Sequence, residues 1–264
     1  WQRALILLAA MSLAVLTPCT ITYNSAICAC ETGAEWQKAL AMLAKMGRAV
    51  CEPDTITCNS TISACEKGAE WQSAIALFAA MVQATLEPNT ITYNSVMSAC
   101  EKGAEWQGAL AVFAAMNQAI LEPDTITYSS TISACEKSMQ WQWAFVLFNA
   151  MCRAGLEVDT IAYNSALSAC KKGGQWQTAI AVLVSMSRAI VEPNTITYNA
   201  AICACGKGNK WQGALAMLAA MGTGILELDT ITYTAAISAC ELAAEWQRAL
   251  VLLTTMGQAS VKPN

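Results

Sequence analysis

The sequence contains no histidine, and only 13% of its 264 residues are charged. Histidine is the commonest general base and the commonest metal ligand, so its absence excludes Ser-His-Asp and Cys-His catalysis. Acidic residues outnumber basic ones by 19 to 15, which gives a net charge of −4, whereas a typical nucleic-acid-binding chain is basic. We expect no enzyme, no bound metal and no cofactor, and the charge counts against nucleic-acid binding.

Long apolar segments are also missing. The apolar run at the N-terminus, residues 4–16, is too short to span a membrane. It imitates a signal peptide, but residues 1–5 (WQRAL) recur as residues 246–250 and therefore belong to an internal repeat. We expect no membrane contact and no small-molecule substrate.

Cysteine is abundant, but not in the pattern of a disulfide framework. There are 13 cysteines, an odd number, and seven of them recur every 35 residues. This spacing indicates small buried side chains in a reducing compartment. The recurring positions are Cys30, Cys65, Cys100, Cys135, Cys170, Cys205 and Cys240.

The 35-residue period dominates the sequence and predicts a repeat architecture. Tryptophan recurs with the same spacing as cysteine, at Trp1, Trp36, Trp71, Trp106, Trp141, Trp176, Trp211 and Trp246. We divide residues 20–264 into seven repeats and assign residues 1–19 to the second helix of a truncated repeat. The seven repeats are 20–54, 55–89, 90–124, 125–159, 160–194, 195–229 and 230–264.

Each repeat is predicted to form two helices. In the first, Tyr23, Ile27 and Cys30 share one face. A glycine follows and suits a helix end with positive φ; it recurs as Gly33, Gly68, Gly103, Gly173 and Gly208. The second helix begins near Glu35, with Trp36, Ala39, Leu40, Leu43 and Met46 as its buried stripe. Because one hairpin cannot bury its own apolar faces, we predict an all-α fold, an α-solenoid superhelix of stacked helix-turn-helix repeats with a concave groove.

The repeat resembles the pentatricopeptide repeat. The resemblance rests on PNTITYNS (88–95), ACEKG (99–103) and ALAVFAAM (109–116), together with the uniform 35-residue length. It implies binding of single-stranded RNA, one nucleotide per repeat, in RNA processing, stability or translation in a chloroplast or mitochondrion. Other proteins are possible further partners. Some family members end in a zinc deaminase domain, for which this chain has neither His-x-Glu nor Cys-x-x-Cys.

By this resemblance, the second residue of each repeat forms an apolar sandwich around a base. That residue is always isoleucine, at Ile21, Ile56, Ile91, Ile126, Ile161, Ile196 and Ile231. Without the resemblance, a recurring isoleucine would be read as a buried core residue.

The resemblance also assigns base recognition to the fifth and last residues of each repeat. A carboxylate can accept the N–H of uracil or guanine, whereas an amide can donate to the ring nitrogen of cytosine or adenine, and a small fifth residue leaves room for a purine. The predicted target is 5′-UCUGCUA-3′. Helix capping by the same residues is the alternative. The pairs are Asn24 and Asp54, Asn59 and Asn89, Asn94 and Asp124, Ser129 and Asp159, Asn164 and Asn194, Asn199 and Asp229, and Thr234 and Asn264.

Lysine recurs at the end of the first helix, at Lys67, Lys102, Lys137, Lys172 and Lys207. The resemblance implies contact with phosphate. The alternative is a solvated charge that favours the helix C-terminus, and neighbouring glutamates weaken the patch. A protein-binding solenoid without RNA selectivity therefore remains the second hypothesis for this chain.

Overall fold

The computed structural model describes residues 1–13, 17–49, 51–223, 226 and 228–258, and every regular element in these residues is a helix. The chain forms two compact units, residues 1–134 and 135–264. The predicted all-α class of helical-hairpin solenoids is confirmed.

The helices follow the period of the sequence. In the first unit they are α1 (Gln2–Leu13), α2 (Thr20–Thr32), α3 (Trp36–Arg48), α4 (Thr55–Lys67), α5 (Trp71–Gln83), α6 (Thr90–Lys102) and α7 (Trp106–Gln118). Helix α8 (Thr125–Lys137) runs into the second unit. There follow α9 (Trp141–Arg153), α10 (Thr160–Gly173), α11 (Trp176–Arg188), α12 (Thr195–Lys207), α13 (Trp211–Thr223), α14 (Thr230–Leu242) and α15 (Trp246–Gln258).

Stacked first helices form the core of each unit. In the first unit α4 packs on α2 and α6 on α4, and in the second α12 packs on α10 and α14 on α12. The second helix packs on the first helix of its hairpin in α2–α3, α4–α5, α6–α7, α10–α11, α12–α13 and α14–α15. The predicted apolar face of the first helix is buried, with Tyr23, Ile27 and Cys30 at most 6% exposed. On the second helix Ala39 and Met46 are buried as predicted, together with Met42. None of the helices in the described residues could cross a membrane.

The recurring cysteines are core residues, as predicted. All seven are buried, and all thirteen cysteines of the chain are free thiols. Burial raises the pKa of Cys65 and Cys170 to about 11 and that of Cys100 and Cys135 to about 12. These thiols therefore stay protonated near neutral pH and act as small apolar groups.

The predicted role of the recurring glycine is wrong. Gly103 has φ −82°, and the left-handed residue is its neighbour Ala104, with φ 53°. The glycine is required for a different reason, because a Cβ at Gly103 would overlap Cδ1 of Trp71, the first residue of the preceding second helix. The same overlap links Gly33 to Trp1, Gly68 to Trp36, Gly173 to Trp141 and Gly208 to Trp176. The tryptophans therefore serve inter-repeat packing, and the glycines make room for them.

Two of the described connections that follow a second helix contain a strained isoleucine. Ile120 has φ 57° and is 91% exposed, and Ile190 has φ 58° and is 90% exposed. Gly155 occupies the equivalent place with φ 69°. A left-handed backbone is unfavourable for a β-branched residue, and an almost fully exposed side chain gains little packing in return.

The first prediction concerns the contact between glycine and tryptophan. We expect Gly103→Ala to lower the free energy of unfolding by about 1–3 kcal/mol, because the added methyl group overpacks against the Trp71 ring. Gly47→Ala is the matched control: a Cβ at Gly47 meets nothing within 4 Å, so this change should raise stability by about 0.5–1 kcal/mol. Urea denaturation measures both. Equal effects of the two substitutions would contradict the packing explanation.

A second prediction follows from the strained connection. We expect Ile120→Gly to stabilise the chain by about 1 kcal/mol, since glycine adopts positive φ without steric cost. In the adjacent control Ala119→Gly, where φ is −77°, the same residue type should destabilise by about 0.4–1 kcal/mol. The comparison is made by thermal and urea unfolding. Destabilisation by both changes would disprove the strain.

Candidate nucleic-acid interface

The last residue of a repeat is the N-cap of the next first helix. Its side-chain oxygen accepts a hydrogen bond from the backbone N–H of the third helical residue, as when Asp54 accepts from Thr57 at 2.8 Å. The capping alternative raised by the sequence is therefore correct. The capping residues are Asp54, Asn89, Asp124, Asp159, Asn194 and Asp229, with N···O distances of 2.7–3.1 Å. Asn264 lies outside the described residues.

A last residue that caps a helix can also contact the fifth residue of its own repeat. Asn24 Nδ2 donates to both carboxylate oxygens of Asp54 at 3.2 Å, and Asn94 Nδ2 donates to those of Asp124 at 3.2 and 3.1 Å. The fifth and last residues of these repeats are thus brought into direct contact, although 30 residues separate them in the chain.

The pair formed by Asn59 and Asn89 uses the same geometry. Asn59 Nδ2 donates to Asn89 Oδ1 at 3.4 Å. Asn89 Oδ1 also accepts from the backbone N–H of Thr92 at 3.1 Å. One amide oxygen of Asn89 therefore serves both the cap and the fifth residue.

Sequence reasoning missed the third residue of the helix, a buried threonine that joins the pair. The hydroxyl of Thr92 donates to Asn59 Oδ1 at 2.6 Å, and that of Thr127 to Asn94 Oδ1 at 2.7 Å. In the second unit Thr197 donates to Asn164 Oδ1 at 3.0 Å and to Asn194 Oδ1 at 2.7 Å. The sequence did contain a sign of this role. Thr-Ile-Thr recurs at the start of the first helix, and the recurrence of the second threonine was left unexplained.

The cap determines which polar atom of the last residue remains available for a hydrogen bond to another molecule. The capped N–H is a donor, so it must meet an oxygen. With asparagine, as at Asn89, Oδ1 is used in the cap and the amide nitrogen lies on the other side of Cγ. With aspartate, as at Asp54, the cap takes Oδ1, and in the part of the chain that the structure describes Oδ2 has only Asn24 as a partner. An Asn cap therefore presents a donor and an Asp cap an acceptor.

The remaining fifth residues are Ser129, Asn199 and Thr234. Ser129 is buried, with 8% of its surface exposed. Asn199 Oδ1 is buried and has no hydrogen-bond partner among the described residues. Thr234 is exposed and donates to the backbone oxygen of Thr230 at 2.7 Å.

The recurring isoleucines are not core residues. They are 59–76% exposed, and each lies on the first helix at a position three residues before the fifth residue of its repeat. Ile91 and Asn94, for example, lie about one turn apart on α6 and share a face of that helix. The core explanation is wrong, and each isoleucine lies close to the polar pair.

Most of the described lysines in the predicted series are already paired with carboxylates. Lys67 Nζ is 3.1 Å from Glu31 Oε1, and Lys102 Nζ is 3.1 Å from Glu66 Oε1. Lys172 Nζ is 2.9 Å from Glu136 Oε1. Lys137 occupies the same place on α8, and Lys207 has a different environment, described below. These pairs reduce the positive charge that a phosphate would meet.

Hydrogen bonds lower the pKa of two of the capping carboxyls, Asp54 and Asp229. Burial raises the pKa of the Asp54 carboxyl, but the bonds from Thr57 and Asn24 outweigh burial and hold the pKa below its ordinary value. Burial likewise raises the pKa of Asp229, but the hydrogen bonds from Thr232 and Asn199 outweigh burial and hold the pKa below its ordinary value. Both carboxyls are therefore ionised acceptors at neutral pH. No group of three potential metal ligands occurs among the described side chains.

Family models match the middle of the chain. A pentatricopeptide repeat domain model matches residues 146–208, a PPR repeat family model matches 53–102 and 88–137, and a PPR repeat model matches 126–156 and 196–223. No curated protein sequence matches the chain.

Solved structures share the fold. The crystal structure of the pentatricopeptide repeat protein PPR10 in complex with an 18-nt psaJ RNA element matches with a TM-score of 0.79 and 21% identity, over 98% of this chain and 38% of that one. The PPR domain of Arabidopsis thaliana protein-only RNase P 1 in complex with tRNA matches with a TM-score of 0.61 and 15% identity, over 74% and 98%. This chain therefore spans well under half the length of the PPR10 chain.

A third prediction concerns the pH dependence of stability. A carboxyl with a lowered pKa in the folded state stabilises the fold above its unfolded value, about 3.8 for Asp54, and this contribution is lost as the pH falls through the lower folded pKa. We expect Asp54→Asn, which keeps a capping oxygen, to weaken the decline of unfolding free energy below about pH 4. Urea denaturation between pH 2 and 7 measures the slope. Glu87→Gln controls for the loss of one charge, and an unchanged slope in Asp54→Asn would refute the assignment.

Proposed function

We propose that this chain, which belongs to the pentatricopeptide repeat family, binds single-stranded RNA and reads one nucleotide with each repeat. The proposal is supported by the solved structures of the same fold that contain RNA. The observation that carries it is the direct contact of fifth and last residues beside an exposed isoleucine, as with Asn94, Asp124 and Ile91.

In this mechanism the exposed isoleucines provide the affinity that does not depend on sequence. Successive isoleucines hold each base between them, which removes apolar surface of both partners from water. An exposed Ile91 or Ile126 is otherwise an unfavourable surface residue, and its recurrence in every repeat is explained by a base that covers it.

The last residue provides selectivity. The carboxylate of an Asp cap accepts the pairing-edge N–H of uracil or guanine, and the amide nitrogen of an Asn cap donates to the bare ring nitrogen of cytosine or adenine. Because the cap orients these groups before RNA arrives, little side-chain entropy is lost on binding. The target is then 5′-UCUGCUA-3′, read by the pairs given above from residue 24 to residue 264.

The fifth residue selects size. Asn24 and Asn94 occupy the space beside a pyrimidine, whereas the smaller Ser129 and Thr234 leave room for guanine and adenine. We place the chain in a chloroplast or mitochondrion, as its family suggests. A bound repeat array there would protect the RNA from nucleases, prevent a hairpin from forming, or expose a site for another factor.

A protein-binding scaffold is the second candidate, and the ion pairs favour it. Lys67, Lys102 and Lys172 are neutralised by Glu31, Glu66 and Glu136, so the surface offers less electrostatic attraction than the lysine series alone suggests. This candidate predicts stable binding to a protein and no selective affinity for RNA.

A gel-shift titration separates the two candidates. The probes are UCUGCUA, a scrambled 7-mer and the DNA equivalent of the target, each at two salt concentrations. RNA binding predicts a lower Kd for the target than for either control. Equal and weak binding of all three probes would reject selective RNA recognition.

The fourth prediction tests the polarity of the caps with a charge-neutral exchange. In the double variant Asn89→Asp with Asp124→Asn, both positions keep a capping oxygen and the net charge is unchanged. We expect its preferred target to change from UCUGCUA to UUCGCUA, with each mismatched base costing about 1–3 kcal/mol. Competition binding with both RNAs measures the change, and circular dichroism checks the fold. Unaltered preference in the double variant would mean that these residues only cap helices.

A further inference from the structure

A ladder of ion pairs connects neighbouring first helices. In each of its rungs, a glutamate near the end of one first helix accepts a hydrogen bond from a serine of the next. At Glu31, Glu66 and Glu136 a lysine of the next helix also forms an ion pair with the carboxylate. Glu66 Oε1 accepts from Ser98 Oγ at 2.9 Å and from Lys102 Nζ at 3.1 Å. The same serine bond joins Ser63 to Glu31 at 3.0 Å, Ser133 to Glu101 at 3.0 Å, and Ser168 to Glu136 at 2.6 Å.

The ladder stops in the second unit. Where the next glutamate would stand, α10 carries Lys171, and α12 carries Gly206 one repeat later. By the register of the ladder, Lys171 faces the position of Lys207 on α12, and Gly206 faces that of Ser238 on α14. The built-in carboxylate is therefore absent from two successive rungs.

A cavity of about 370 Å³ lies at this interruption. Its lining includes Lys171, Lys207 and Ser238 and contains no acidic residue. Neither lysine forms an ion pair with the described part of the chain, and Ser238 Oγ has no hydrogen-bond partner there. Two ammonium groups and a hydroxyl thus remain where the other rungs hold a carboxylate.

We infer that this cavity binds a backbone phosphate of the RNA, between the nucleotides read by the sixth and seventh repeats. A phosphate oxygen supplies the acceptor that the missing glutamates provide elsewhere, and it compensates two adjacent positive charges. The inference rests on the proposed function and adds Lys171 and Ser238 to the residues that hold RNA. It also concentrates the electrostatic contribution at one place in the second unit.

The neighbours of the cavity favour RNA over a free anion or an acidic protein segment. Ile231 and Thr234, the predicted base-sandwich and fifth residues of the seventh repeat, line the same cavity. A phosphate bound there would lie beside the site proposed for its own base. A free phosphate ion would leave these two exposed side chains uncovered.

The test replaces each lysine with the residue that the chain has at the equivalent position of another repeat. Lys171→Glu restores the glutamate of the other rungs, and the new carboxylate should pair with Lys207. Lys207→Leu introduces the leucine that the next repeat has at Leu242. We expect Lys171→Glu to weaken binding of UCUGCUA at least tenfold at 0.1 M salt. The slope of log K against log salt should flatten by about 0.7 for Lys171→Glu, the contribution of one phosphate, and by less for Lys207→Leu, which leaves Lys171 in place.

Lys45→Glu is the matched control, because it makes the same charge change at an exposed residue of α3. Its slope should stay close to that of the wild-type chain. Equal slopes for Lys45→Glu and Lys171→Glu would show that only net charge matters and would overturn the inference.

A neutral methylphosphonate linkage locates the contact within the RNA. Placed between the sixth and seventh nucleotides, it should weaken wild-type binding about fivefold at 0.1 M salt and leave Lys171→Glu unaffected. A similar loss at every linkage, or the same loss in both proteins, would overturn the site.

Two further ligands distinguish the source of the anion. Inorganic phosphate and a polyglutamate peptide are titrated while NMR follows the amides of Gly206 and Ser238. Saturation by either at lower concentration than the RNA would assign the cavity to that ligand class instead. A wild-type chain that binds no RNA would reject the proposed function together with this inference, whereas wild-type binding that both lysine variants retain would reject this inference alone.

Discussion

One hydrogen bond organises the candidate interface: the bond from the backbone N–H of the third helical residue to the side-chain oxygen of the residue before the helix. It satisfies an N–H that has no partner inside the helix. It also holds a polar side chain, such as Asp124, beside Asn94, the fifth residue of the same repeat. The buried threonine completes the arrangement by donating to the fifth residue. Helix initiation and the positioning of both proposed recognition residues are therefore the same event.

The ion-pair ladder explains how an acidic chain can carry a regular series of lysines. Each carboxylate, such as Glu66, accepts from a serine and a lysine of the next helix and so neutralises the charge locally. Partly exposed pairs of this kind contribute little stability. Their main effect is on the surface field, which becomes weak along the ladder and positive where Lys171 and Lys207 lack a carboxylate. The local arrangement, more than the net charge of −4, determines where an anion is attracted.

Periodicity predicted the helices and the core because both depend on spacing within one helix, as with Tyr23, Ile27 and Cys30. It could not predict contacts between repeats, since these depend on the register of stacking. Gly103 was therefore assigned to a positive φ, although its role is to admit Trp71. The pairing of Lys102 with Glu66, 36 residues earlier, and the link from Thr127 to Asn94 were missed for the same reason. The exposure of Ile91 also needed the structure, because a recurring isoleucine fits a core equally well.

The cap further explains why the last residue of a repeat is always aspartate or asparagine. A side chain at this position must reach the third N–H with an oxygen and still present a second polar atom. Serine and threonine can cap but have only one such atom, and glutamate and glutamine are not among the preferred caps. Cys19 occupies the same register before α2, and there the helix has no side-chain cap. Among the good caps, only Asp and Asn satisfy both conditions, and they differ in whether the free atom accepts or donates. A helix-stabilising requirement thus restricts the position to the two residues that can distinguish N–H from a bare ring nitrogen.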